Sequence, residues 1–285
     1  METLYSIIDM ILPFQWLRPH FMKNALLAVL LAAPLFGALG TLVVSNQMAF
    51  FSDAIGHSAL TGIAIGVIFG IGEPLIAMVA FSVILGIAII FVKSRGTAST
   101  DTIIGVFSSI AVALGIVLLS TGGNFARYSR YLVGDILSIT PKELGLLLAA
   151  LAALAVVWTG FYNKMLITSV NRTFARSRGF RVFAIEQLFG LITAVIVTIS
   201  ISWTGLLVIN SLLVLPAASG RMVTRSCRGY LLVSVLISLV SSVSGLVSSY
   251  YLGTASGAAI VLISGCFFLL ALFKNALSAR GRTVL

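Results

Sequence analysis

Charge is what this chain has least of. Asp, Glu, Lys and Arg together make up 9% of its 285 residues, whereas a soluble domain carries about 25%. Too few polar side chains remain to clothe a water-facing surface, which excludes a soluble enzyme or binding domain. Acids number only eight, and histidine and cysteine two each. Cys227 and Cys266 lie on different segments, so they form neither a disulfide framework nor a thiolate metal site; they read as packing residues. No HExxH pair exists. None of the five lysines (23, 93, 142, 164 and 274) follows a glycine, so there is no GxxxxGK[ST] phosphate loop. The chain does not hydrolyse ATP by that route.

What is present is apolar. Hydrophobic residues make up 59% of the sequence, with a mean hydropathy of +1.13. Nine segments are predicted to cross a bilayer, at about 22–44, 47–70, 74–92, 102–121, 143–163, 183–203, 205–219, 230–251 and 257–274. The seventh is short, follows Trp203-Thr204-Gly205 and ends at Pro216. It reads as a half-helix that neighbours must cover. The fold expected is all-α, a polytopic membrane bundle of eight to nine transmembrane helices with short loops. Residues 1–21 form an N-terminal interfacial segment, with Trp16, Arg18 and His20 near the headgroups. A start bearing Glu2 and Asp9 does not read as a signal peptide. Residues 22–274 form a single transmembrane domain and 275–285 a tail. The stretch 122–142 is amphipathic and suits a surface helix or one dipping into a vestibule.

The net charge of +10 reflects loop chemistry, and nucleic-acid binding is not expected. The segments 93–101, 164–181, 219–229 and 274–285 carry thirteen of the eighteen Lys and Arg. With nine crossings they fall on one side, which is then cytoplasmic and holds the C-terminus.

One pair of residues breaks the apolar pattern in a chemically specific way. In MAFFSDAIGHSALTG (48–62), Asp53 and His57 stand four apart, on one helix face. An ionisable residue inside the membrane is costly and marks function by default. Counted from Gln47, Asp53 lies about 9 Å and His57 about 15 Å into the membrane at 1.5 Å per residue. A carboxylate and an imidazole form a half-site for Mn²⁺, Zn²⁺ or Fe²⁺ and argue against a Cu(I) pathway. The competing reading is a packed, mutually bonded pair. Ala54, Ser58, Gly62, Gly66 and Gly70 recur every four residues beside them, a stripe that lets another helix approach closely. Asp53, His57 and Thr61 form the adjacent stripe, expected to point into protein or a cavity.

These residues resemble the permease subunits of bacterial metal-ion ABC importers, the zinc/manganese/iron group. MAFFSDAIGHSALTG resembles that family's Asp-x-x-x-His helix motif. TGLLVINSLLVLPAASGR (204–221) resembles its Gly-to-Leu-Pro-Ala-Ala stretch, and YLVGDILSITP (131–141) and YYLGTASGAAIVL (250–262) resemble two further segments. Thr61 stands where proline is frequent, Gly253 and Ala255 where an acid and a proline are common, and Asn171 where aspartate is frequent. The resemblance implies a homodimer in the bacterial plasma (inner) membrane, with the ion path at or near the subunit interface. It also implies cytoplasmic ATPase subunits, an extracytoplasmic metal-binding protein, and no permanently bound cofactor beyond the transported ion.

SVNRTFARSRGF (169–180) is the second candidate. The family implies a coupling helix docking in a cleft of the ATPase, with Ala175 and Gly179 at matching positions. From the residues alone, Arg172 and Arg176 share a face, Ala175 is small and Gly179 can end a helix. A plain basic loop is the alternative. Glu73 and Glu186 receive structural readings, the latter as an acid reaching the interface, and Asp135 is expected to pair with Arg130 or to cap a short helix. Other functions weighed are an importer of a cobalamin- or siderophore-like chelate, a proton-coupled secondary metal carrier, and an intramembrane metalloenzyme.

Overall fold

The computed structural model describes residues 5–6, 9–10, 13–96, 98–121 and 135–280. Every regular element among them is helical. In chain order they are α1 (His20–Ser45), α2 (Ala49–Ile68), α3 (Pro74–Ser94), α4 (Thr100–Thr121) and α5 (Pro141–Val170). There follow the short α6 (Arg172–Ser177), then α7 (Val182–Thr204), α8 (Leu206–Val223), α9 (Cys227–Leu252) and α10 (Ser256–Arg280). All but α6 are long and apolar enough to cross a membrane, nine helices among the described residues.

The sequence signals locate these ends well where capping chemistry is strong. At the start of α5, the Thr140 backbone N–H donates to Glu143 Oε2 at 2.8 Å, and the Glu143 N–H reaches back to Thr140 Oγ1 at 3.4 Å. With Pro141 between them, this is a capping box opened by an N1 proline. Asp135 Oδ1 accepts from the Leu137 N–H at 3.0 Å and caps a 3-10 turn over Ile136–Ser138. Arg130, its other expected partner, lies outside the described residues, as does 122–134 of the amphipathic stretch.

Two elements differ from expectation. Segment seven is a helix of 18 residues, about 27 Å at 1.5 Å per residue and so close to crossing length. Pro216 sits inside it, and the Ser219 hydroxyl donates to the Leu215 carbonyl at 2.7 Å. The half-helix reading gave too much weight to proline, which a packed membrane helix tolerates. At the N-terminus, Trp16 and Leu17 are buried in a 3-10 turn, and His20 already begins α1.

The chain divides into two compact units. One comprises Met1–Thr41, Asp135–Ala153 and Asn210–Leu285, the other Leu42–Gly134 and Leu154–Ile209. In the first, α9 packs along α10 and buries a face of Ser234, Ser238, Ser241, Ser242 and Ser249. Tyr230 Oη donates to the Thr41 carbonyl at 3.2 Å within this unit. In the second, α2 lies against α3, α4 and α7. A β-carbon on Gly62 would stand 2.8 Å from the Ala77 carbonyl oxygen and 2.8 Å from Met78 Cα. The small-residue stripe is thus the seat of α3. It stops short of Gly70, which lies beyond the helix in a left-handed turn at φ 69° with open space around it.

Candidate functional site

One turn of α2 places the His57 and Asp53 side chains together, with Nε2 3.4 Å from Oδ1. This is longer than an ordinary hydrogen bond. Two ligands each about 2.1 Å from one ion would stand about 3.4 Å apart at a tetrahedral angle. The pair therefore already has the separation of two ligands of a single ion.

Both side chains are 45% exposed, although Ala54, Ile55, Gly56 and Ser58 around them are buried. The expectation was that they point into protein or a cavity; this chain by itself leaves them half-open. The small stripe takes the packed side of α2 and leaves the neighbouring stripe open. Thr61 marks where that opening ends: its hydroxyl donates to the Ala111 carbonyl at 2.5 Å, and α4 covers it. Among the described residues no group of three or more His, Cys, Asp and Glu gathers that could hold an ion. A two-ligand site holds an ion briefly, as a path requires.

The segment 169–180 folds as α6 followed by a turn. Asn171 is its N-cap, accepting from the Phe174 N–H at 2.9 Å. Asparagine caps as well as the aspartate common in the family. Gly179 ends the element at φ 76°, with its N–H on the Arg176 carbonyl at 2.9 Å. Ala175 is fully buried and seats the helix, whereas Arg176 is exposed. Phe174, which the sequence reading passed over, is also exposed, with the Arg178 guanidinium over its ring at 5.1 Å. Arg172, exposed like Arg176, pairs with Glu186 of α7, Nη2 to Oε1 2.7 Å.

Glu186 itself is 6% exposed, so it does not reach the interface as expected. Lys93, in the last turn of α3, is equally buried and lies within electrostatic reach of both Glu186 and Arg172. No spacing in the sequence joins residues 93, 172 and 186; only packing does. Elsewhere, Cys227 and Cys266 are exposed rather than packed, one in the first turn of α9 and the other on the outer face of α10. Glu73 precedes α3 without a side-chain cap. Gly253, where an acid is common in the family, ends α9 in the left-handed region at φ 62°. That conformation favours glycine over an L-residue, which gives the departure a backbone reason.

Helices of crossing length with an acid–imidazole pair lodged on one of them define a multi-pass membrane transport protein. The model of the ABC 3 transport family matches residues 18–275, and the chain belongs to that family. It is 31% identical over 263 residues to the high-affinity zinc uptake system membrane protein ZnuB of Haemophilus influenzae, covering 92% of this chain and 98% of that one. It is 28% identical over 254 residues to the manganese import system permease protein ScaB of Streptococcus parasanguinis, covering 89% and 90%. Among solved structures, PsaBC from Streptococcus pneumoniae in complex with Fab superposes with a TM-score of 0.77 at 26% identity, covering 95% of both chains. The chain is accordingly a membrane permease subunit of an ABC transport system, whose ATPase is a separate subunit.

Proposed function

We propose that this permease imports bare divalent zinc or manganese ions, with Asp53 and His57 as passing ligands. The observation that carries the reading is the 3.4 Å carboxylate–imidazole pair held half-open on a spanning helix. Relatives named for zinc uptake and manganese import support those two ions. The ligand types suit Fe²⁺ as well, so iron is the third ion to assay. The ion is cargo, and no permanently held cofactor is part of the proposal.

Residues 22–274 act as one permease domain, a reading supported by the family match over 18–275, with 1–21 interfacial and 275–285 a tail. The protein works in the bacterial inner membrane as a homodimer with the path at or near the subunit interface. The open face of α2 supports this, because a second copy or a shared path is what would cover it. The basic loops, α6 and the C-terminus are cytoplasmic by their charge. A binding protein delivers the ion outside. Two ATPase subunits dock on α6 through Arg172, Arg176 and the turn at Gly179, with Ala175 seating the helix beneath them.

The test is uptake into liposomes holding the chain with its ATPase subunit and binding protein, offered Zn²⁺, Mn²⁺ and Fe²⁺ in turn. ATP-dependent entry of zinc or manganese is expected. Entry without ATP would replace the reading with a proton-coupled carrier. Failure of all three ions, with entry of a chelate, would replace it with a chelate importer.

A further inference from the structure

Three charges from three elements meet at one end of the second unit. Arg172 of α6 and Glu186 of α7 approach to 2.7 Å, and Lys93 of α3 is buried beside them. The Arg172–Glu186 contact is an ion pair by distance but lies off the line of an N–H hydrogen bond. Lys93 Nζ makes no hydrogen bond. Glu186 is ion-paired to Arg172 with Lys93 as the nearby buried cation, and charge rather than bond direction holds the group together. A buried ion left without a partner is strongly destabilising, so Glu186 must keep a cation whenever α6 moves.

The surroundings make this a joint rather than a patch. Gln187 Nε2 donates to the Ile87 carbonyl at 3.3 Å, and the Phe91 and Phe183 rings meet edge-on with centroids 6.5 Å apart. These contacts bind α3 to α7 immediately beside the charges. Lys93 and Glu186 thus belong to one packed pair of helices, while Arg172 belongs to the short helix that the proposed function gives to the ATPase. We propose that Glu186 is a positioning residue for energy coupling. It ties α6 to the α3–α7 pair through Arg172, and Lys93 is the standby cation that keeps the carboxylate paired as α6 is displaced. This rests on the reading of α6 as the ATPase-docking helix. Because Glu186 is buried beneath α6, it acts on coupling without touching the ATPase.

The experiment measures metal ions moved per ATP hydrolysed in liposomes containing the chain, its ATPase subunit and its binding protein. Two variants are compared with wild type. Glu186→Gln removes the tie. Glu186→Gln with Lys93→Met also removes the cation that the first change strands, which protects folding. Both are expected to bind the ATPase subunit and to hydrolyse ATP while moving about tenfold fewer ions per ATP, the scale of an ordinary coupling free energy. A wild-type ratio in the doubly substituted chain would overturn the proposal while leaving the importer reading intact. Loss of ATPase binding in both variants would overturn it too, because the carboxylate would then serve assembly. Wild type that moves no metal with ATP would remove the importer reading first, and this inference with it.

Discussion

Two polar sites of this chain are built in opposite ways. Asp53 and His57 come from one helix, a single turn apart, and remain 45% exposed at 3.4 Å. Lys93, Arg172 and Glu186 come from three helices; Glu186 is 6% exposed, and it meets Arg172 at 2.7 Å. Asp53 and His57, proposed to pass an ion on, have an open face and no third ligand among the described residues. The group that holds elements together buries its Glu186 carboxylate and Lys93, and only its Arg172 side chain, 47% exposed, reaches out. Burial of the carboxylate therefore separates the two sites better than residue type does, since both use a carboxylate and a nitrogen cation or base.

Substitution separates the two roles. The largest effect is expected for Asp53→Ala or His57→Ala, which should bring metal uptake to background while the membrane level of the protein stays near wild type. Immunoblotting beside the uptake assay checks this; parallel loss of protein would make the pair a structural one like the buried cluster. Gly62→Leu comes next. Backbone atoms of Ala77 and Met78 stand where its side chain must go, and overpacking of this kind costs about 3 kcal/mol or more. A fall in folded yield and thermal stability is expected, and unchanged stability would discredit the α2–α3 contact.

Smaller effects probe the coupling end and the Gly253 turn. Asn171→Ala removes the cap of α6, a loss of about 1 kcal/mol, and should weaken association with the ATPase subunit. Asn171→Asp keeps a capping oxygen and should leave association unchanged, which a pull-down comparing the two variants would reveal. The smallest shift is expected for Gly253→Asp, which forces a side chain into the left-handed region at φ 62° at about 1 kcal/mol. A modest drop in melting temperature checks it. Raised stability would mean that the family's usual acid is tolerated here on other grounds.

Much of this was legible in the sequence, for definite reasons. Long apolar runs and a shorter one at 205–219 point to eight to nine crossings, and Asp53 with His57 is visible because helical spacing is local. The cap at Asn171 and the turn at Gly179 are local as well. The misreadings share a cause. The fifth segment is expected to end at 163 with Lys164 opening a basic segment, yet α5 runs on to Val170; Pro216 reads as a stop, yet α8 passes through it to Val223. Tertiary cover overrode local preference in both. Glu186 reads as an interface acid and Lys93 as one of the basic loop residues, because the partners that bury them are distant in sequence. The open side of α2 was likewise hidden, since spacing puts Asp53, His57 and Thr61 on one stripe but does not show that α4 covers only Thr61.

The central claim is that an ion passes against Asp53 and His57, and histidine scarcity allows a direct test. The chain has only two histidines, so X-ray absorption of the zinc-loaded protein has few imidazoles to report. The account predicts one imidazole nitrogen at about 2.0 Å in wild type and in His20→Ala, and none in His57→Ala. An imidazole signal that survives His57→Ala and vanishes in His20→Ala would contradict it.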